Sequence, residues 1–258
     1  MLKTVQSGAA ALKIQELQMA TVGNNVANIN TVGYKADKPM TDFSEAVRQA
    51  LSDSGTTTKA DAKITPAVGS GMRVIMMTKK DFGQGTLQET GRSLDLAIDG
   101  HGFFVLADPY DGSTVYSRAG DFEVDKDGKL VNPAGFSMPD ITVPPGTQEL
   151  KIERDGRVIA VPYQGEKQEI GQIKLQYFEN PSYLTPLGKN VYAANENVTV
   201  LKNPEVPGII RQGFLEQSNV DFVDEMARMI TAQKAHSFGS RSITTADEMW
   251  EMSNNLTK

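Results

Sequence analysis

The sequence contains no Cys and only two His, His101 and His236, in 258 residues. That excludes disulfides and thiolate nucleophiles, and removes nearly all zinc and iron–sulfur arrangements, which need Cys or closely spaced His. Positive charge is short as well. Lys plus Arg number 26 against 32 Asp plus Glu, a formal net charge of −6, so the basic stripe that nucleic-acid binding requires is missing. No apolar run approaches the roughly 18 residues of a membrane span. The opening residues, Met1-Leu2-Lys3-Thr4-Val5-Gln6, lack the apolar stretch and cleavage site of a secretory signal, so a soluble chain without a conventional cleaved signal is expected. What remains is an ordinary globular mixture, 39 % hydrophobic and 22 % charged, sufficient for one large or two modest domains with a sizeable core.

Structure breakers are scarce at both ends. Of 23 Gly, 18 lie between Pro66 and Gln217, and 11 of the 12 Pro lie between Pro66 and Pro207. From Leu2 to Ile29 apolar residues recur every seven positions at Val5, Leu12, Met19 and Val26, with Val22 and Ile29 three further on. This spacing predicts a coiled-coil-like helix. Between Thr4 and Tyr34 only Lys13 and Glu16 are charged, unusual for a solvated helix, and Asn30-Thr31-Val32-Gly33 supplies a helix stop. From Ser218 to Leu256 the pattern returns, with Phe222, Met229, His236, Ile243 and Trp250 seven apart and Met226, Ala246, Met249 and Met252 flanking them. Ser218 and Asp221 resemble a capping box. Gly239 marks either close packing or a break before Thr244 and Thr245.

The middle predicts an all-β body. Strands are expected at Leu94–Asp99, Phe103–Leu106, Phe122–Val124, Lys129–Val131, Arg157–Val161 and Ile170–Phe178, from period-two alternation and short apolar runs. Tyr110-Asp111-Gly112, Lys126-Asp127-Gly128 and Arg154-Asp155-Gly156 suit tight turns that need positive φ. Residues 52–63, rich in Ser, Thr, Asp and Ala, read as a mobile or partner-ordered loop.

Candidate chemistry is thin. Asp125 and Asp127 before Gly128 resemble a calcium loop, but Glu123 would occupy the first ligand position and Ala134 the twelfth, where a bidentate Glu is required; a hairpin turn is the better reading. Gly100-His101-Gly102 follows a strand without the third Gly and the helix of a dinucleotide site. His236 falls on the apolar seam of the last segment and reads as a packed interface residue. Neither end has the basic polar face of a membrane-surface helix. Paired carboxylates leave open a monomeric carbohydrate-binding or hydrolytic β-domain protein.

Two ends that each bury one stripe, one of them lacking charge on its other face, suggest a polymer with an inner layer of terminal helices. The wording of the sequence points the same way. Asn24 to Lys35, NNVANINTVGYK, resembles the N-terminal signature of the bacterial flagellar rod and hook axial proteins. LDLAIDGHGFF from Leu94, YSRAGDFEVDKDGKLV from Tyr116 and the segment from Leu215 to Met249 are similar to that family's central and C-terminal signatures. The length favours a rod subunit, of the distal type before a proximal rod or hook-basal-body paralogue.

The resemblance implies a non-enzymatic structural subunit without cofactor, metal or small-molecule substrate. It would be exported unfolded by the flagellar export apparatus and would assemble with copies of itself and with other rod and hook proteins into the shaft across the periplasm. The expected fold is mixed: long coiled-coil-like helices at residues 1–38 and 218–258, a linker at 39–80 and a central all-β domain at 81–217. The expected assembly interface comprises Val5, Leu12, Met19, Val22, Asn24, Asn25, Val26, Asn28, Ile29, Gly33 and Tyr34, with Phe222, Met226, Met229, Ile230, His236, Ile243 and Trp250.

Overall fold

A computed structural model describes residues 2–39, 78–163, 166–195, 198–201 and 207–255; side chains are described for all of these except 2–7, 9–10, 246–247, 250–251 and 253–255. Most of the expected linker, including the loop at 52–63, lies outside the described residues. The chain divides into two compact units, one holding Met1–Ala27, Asp37–Lys80 and Asp221–Lys258, the other Asn28–Ala36 and Asp81–Val220.

The first unit contains helix α1 (Leu2–Ala27), helix α2 (Phe222–Asn255) and an antiparallel pair, β1 (Asp37–Pro39) with β2 (Thr78–Lys80). Asn25 ties α1 to β1 as a strand neighbour would. Its Nδ2 donates to the Asp37 carbonyl at 2.8 Å, and the Asp37 N–H donates to its Oδ1 at 2.8 Å. Helix α2 starts on Asp221 rather than Ser218, because the Asp221 carboxylate accepts the N–H groups of Val223 (2.8 Å) and Asp224 (3.2 Å), satisfying two of the donors that a helix start leaves open.

The expectation of long, coiled-coil-like ends is corrected here. Along the chain one α-helix precedes and one follows a large, mostly β region, and the two do not form a coiled-coil seam. A seam needs bulky apolar residues at both of its positions in each heptad. Of the second positions in α1 only Val22 is bulky and apolar, after Gly8 and Gln15, and those in α2 begin with Glu225, Ala232 and Gly239. The seven-residue stripe that suggested a seam is only half-buried at Leu12, Met19, Val26, Met229, His236 and Ile243, and Phe222 is exposed. Close approach of small residues takes its place: a methyl added at Gly8 would lie 3.2 Å from Ile243, and one at Gly239 would lie 2.9 Å from Leu12. Gly239 therefore marks packing, and α2 runs through it without a break.

In the second unit every named strand pairing is antiparallel. Strands β3 (Leu87–Glu89) and β4 (Leu96–Asp99) pair with the two last strands, β18 (Phe214–Glu216) and β17 (Ile209–Gln212). The largest sheet has the order β14 (Thr185–Gly188), β15 (Val191–Ala193), β6 (Thr114–Ser117), β5 (Phe103–Ala107), β9 (Ser137–Thr142), β8 (Lys129–Val131) and β7 (Glu123–Val124). Strand β13 (Leu175–Phe178) also pairs with β5 and carries β16 (Val200–Leu201). A separate three-stranded sheet holds β10 (Thr147–Ile152), β11 (Arg157–Pro162) and β12 (Gln168–Gln172).

Alternation along β5 divides the apolar interior into two clusters. Phe104 points into the main core with Leu96, Ile98, Leu106 and Leu130, its ring edge-to-face with Phe122 at 5.4 Å. Phe103, one residue earlier, points the other way to Phe82, Phe178 and Tyr192. The single strand expected over Ile170–Phe178 is two strands in different sheets: the Ile173 N–H on the Gly156 carbonyl at 2.8 Å extends the pairing with β11 by one step, and from Leu175 the chain pairs with β5 instead. The three Asp-Gly turns form as their chemistry demands, with φ of +69° at Gly112, +76° at Gly128 and +88° at Gly156. The candidate calcium loop is a hairpin turn between β7 and β8, closed by the Gly128 N–H on the Asp125 carbonyl at 2.9 Å.

Candidate assembly interface

The segment after α1 turns sharply before it joins the β region. The Thr31 N–H donates to the Asn28 carbonyl at 3.1 Å, and the Thr31 hydroxyl bonds Asn28 Oδ1 at 3.2 Å. Gly33 follows with φ +66°, pressed so closely on Ala119 that an added methyl would lie 2.5 Å from the Ala119 nitrogen. Only glycine combines that backbone with that approach. The Gly33 N–H then donates to the Glu216 carbonyl at 2.8 Å.

Two residues later Lys35 is fully buried. Its Nζ lies 2.6 Å from Glu216 Oε1 and donates to the Gly83 carbonyl at 2.8 Å. The Arg118 Nη1 donates to the other Glu216 oxygen at 3.2 Å, Nη2 donates to the Gly100 carbonyl at 2.9 Å, and the guanidinium lies 5.3 Å from the Phe103 ring centre. The Gly85 N–H adds a third donor to the carboxylate, at 2.9 Å. One carboxylate thus serves two cations away from water. Burial pushes the Lys35 ammonium below its usual range and Glu216 pulls it back up; burial likewise lowers the Arg118 guanidinium against Glu216. Such a node has little tolerance for loss of one member, which leaves an uncompensated buried charge.

Asn219 completes the junction. Its Oδ1 accepts the Ala36 N–H at 2.8 Å, and its Nδ2 donates to the Asp81 carbonyl at 2.8 Å. The segments that leave α1 and lead into α2 are therefore stitched together within the second unit. Lys35, Arg118, Glu216 and Asn219 are absent from the expected set, although each lies in or beside a quoted signature. The available signal was a set of charged residues in glycine-rich or apolar surroundings: Gly-Tyr-Lys, Ser-Arg-Ala-Gly and Phe-Leu-Glu.

The structure distributes the expected residues unevenly. Val22, Asn25, Gly33 and Tyr34 are buried within the chain; Asn28 and Ile29 are half-buried in the turn, and Asn24 is exposed. Leu12 and Ile243 serve the contact of α1 with α2, and the side chains of Val5 and Trp250 lie outside the described residues. Met226 is half-buried; Ile230 and Phe222 are exposed.

A helix advances about 100° per residue, so Val223, Ile230, Phe238, Met249 and Met252 lie on the side of α2 away from Gly239 and Ile243. All five are half to three-quarters exposed, Val223 at 74 % and Phe238 at 69 %. That side of α2 therefore carries five exposed apolar side chains interspersed with the exposed Lys234, Arg241 and Glu248, and of the five the expected set held only Ile230.

Three families match the chain. Residues 6–35 match the family described as flagella basal body rod protein, residues 97–160 the flagellar hook protein FlgE/F/G D1 domain, and residues 211–256 the C-terminal region of flagellar basal body rod FlgEFG proteins. The flagellar basal-body rod protein FlgG of Bacillus subtilis is 36 % identical over 269 residues, covering 99 % of each chain. Its counterpart in Agrobacterium fabrum is 36 % identical over 257 residues, 96 % of this chain and 97 % of the relative. The flagellar hook protein FlgE of Borreliella burgdorferi is 38 % identical over 135 residues, 52 % of this chain but only 29 % of the hook protein. The node of Lys35, Arg118 and Glu216 draws one residue from each matched region or its immediate flank, and the chain belongs to the family of FlgG-like flagellar basal-body rod proteins.

Proposed function

We propose that the chain is a non-enzymatic structural subunit of the distal flagellar rod, polymerising helically through its terminal helices into a shaft. The observation that carries this reading is the set of exposed apolar side chains on α2. Five large apolar side chains left exposed on the side of α2 away from its contact with α1 are costly in water, at roughly 25 cal/mol per Å² of apolar surface, and with Lys234, Arg241 and Glu248 among them they make a mixed surface of the kind that interaction sites present. The near absence of charge on α1 and the near-full-length similarity to basal-body rod proteins support the same reading. Its partners are then copies of itself and other axial proteins of the flagellum, its location is the basal body, and its route is unfolded export through the flagellar export apparatus without a cleaved signal. Family membership in a structural protein family disfavours the carbohydrate-directed alternative.

Sedimentation and electron microscopy of the concentrated full-length chain test the proposal. Tubular or filamentous assemblies are expected, with Ile230→Asp and Phe238→Asp abolishing them while the β signal in circular dichroism persists. Variants that assemble as readily as the parent chain would remove the outer face of α2 from the interface.

A further inference from the structure

The β5–β6 hairpin ends in an unusual tip. Tyr110 is 98 % exposed, yet its loop is held by bonds on every side. The Asp108 N–H donates to the Ser113 carbonyl (2.9 Å), the Gly112 N–H donates to the Asp108 carbonyl (3.0 Å), and the carboxylates of Asp108 and Asp111 accept the N–H groups of Tyr110 (2.9 Å) and Ser113 (2.8 Å). An aromatic ring presented at full exposure on a pre-ordered loop loses little entropy on binding, and tyrosines so placed are typical anchors of protein interfaces. Bonding to Ser113 holds the Asp111 carboxyl below its usual range, so the tip stays anionic.

The same unit carries a groove of about 550 Å³ lined by Ile173, Leu175, Tyr177 and Ile209 together with Arg154 and Lys174. Asp155, also in the lining, has its carboxylate engaged with Arg157 at 2.7 Å. The volume exceeds that of a tyrosine side chain and falls in the range of sites that hold a ligand. Strand register relates the two features. Leu175 is paired with Phe104 and Gln176 with Phe103, so the groove flanks the start of β5, whereas Tyr110 lies three residues past its end at Ala107. At about 3.3 Å per residue, β5 alone separates them by about 13 Å, and a chain cannot place its own tip in its own groove.

The geometry points to a head-to-tail contact between copies of this chain, in which the Tyr110 tip of one copy seats in the groove beside the start of β5 in the next. The ring covers the apolar residues of the lining, and Asp108 and Asp111 face Arg154 and Lys174. Two different surfaces of one chain that fit each other form a heterologous contact, which propagates as a helix when its rotation does not close. The contact rests on the self-assembly proposed above and extends it from the terminal helices to the β region, adding specificity of register through opposite charges.

Carbodiimide coupling of the unmodified chain, mixed one-to-one with its 15N-labelled form and assembled, tests the contact. The reagent condenses a carboxylate with an amine, with loss of water, and peptides of mixed isotope composition report links between copies. The expected result is a mixed peptide joining residues 108–111 to Lys174. The internal pair of Lys174 with Asp140, 3.3 Å apart, supplies an intrachain product as reference. Charge exchange gives a second readout: Asp111→Lys raises the critical concentration about tenfold, and adding Arg154→Asp to it brings the value back toward the parent's. Assemblies that form but yield only the intrachain product, or in which charge exchange gives no rescue, overturn the contact and leave the rod reading intact. Absence of any assembly by the parent chain overturns both.

Discussion

Lys35 and Glu216 lie 181 positions apart and form a fully buried ion pair with Nζ 2.6 Å from Oε1. It joins the residue that follows the α1 turn to the last residue of β18, and Arg118 closes the other side of the carboxylate at 3.2 Å. Removing one member strands the others. Glu216→Gln or Lys35→Met is expected to cost about 3–5 kcal/mol, whereas an apolar replacement of all three restores much of the loss, because the desolvation cost disappears with the charges. Urea midpoints of the single and triple variants decide; single variants within about 0.5 kcal/mol of the parent would mean that the node is not a coupled unit.

Two glycines that look alike in sequence are expected to respond in opposite directions. Gly23 lies within α1 with nothing within 4 Å of an added methyl, so Gly23→Ala should stabilise by about 0.5–1 kcal/mol through helix propensity alone. Gly33 has φ +66° and the Ala119 backbone against it, so Gly33→Ala should cost about 2–4 kcal/mol. Thermal unfolding of the two variants beside the parent gives the sign directly. A neutral Gly33→Ala would show that the turn relaxes freely.

Acid should favour the fold at Asp121. Burial raises its carboxyl above the usual 3.8, and Asp95 and Glu123 add to the shift against Arg92. A carboxyl whose folded value is raised contributes stability that is fully present below its unfolded value and is lost as pH rises through the folded one. Asp121→Asn, always neutral, is therefore expected to gain on the parent chain between pH 4 and pH 7. Chemical denaturation at both pH values measures the difference, and a gap that shrinks toward pH 7 contradicts the assignment.

Period-two runs and Asp-Gly pairs made the β region legible, because strands and tight turns are decided by residues adjacent in sequence: Phe103 and Phe104 part to two clusters, and Gly112, Gly128 and Gly156 all adopt positive φ. The terminal helices misled for a physical reason. Seven-residue spacing of Val5, Leu12 and Met19 marks one seam position, but the other carries a bulky apolar residue within α1 only at Val22, after Gly8 and Gln15. The node was invisible because Lys35, Arg118 and Glu216 are single charged residues far apart in sequence, and nothing local states that they meet. The exposed apolar residues of α2 leave no clean amphipathic period because Lys234, Arg241 and Glu248 lie among them on the same side.

The placement of Lys35 revises where an independently folding β fragment should begin. A span of 81–217, read from strands and turns alone, omits the segment 28–36 and with it Lys35, the Gly33 N–H on the Glu216 carbonyl, and the Ala36 N–H on Asn219. A fragment of residues 28–220 retains all of these and lacks both helices. It is expected to be monomeric, rich in β structure and cooperatively unfolded. A fragment of residues 81–220 leaves Glu216 with Arg118 as its remaining cation in the node and should be less stable by about 3–5 kcal/mol. The intact chain, when dilute, should show little protection from hydrogen exchange in α1 and α2 relative to the main core around Leu96, Ile98 and Phe104, because two helices only half-buried against each other gain less than the main core does. Protection there should rise on assembly, when the outer face of α2 is covered. Equal midpoints for the two fragments would remove the node from the folding unit, and strong protection of both helices in the dilute chain would show that their stability needs no second copy.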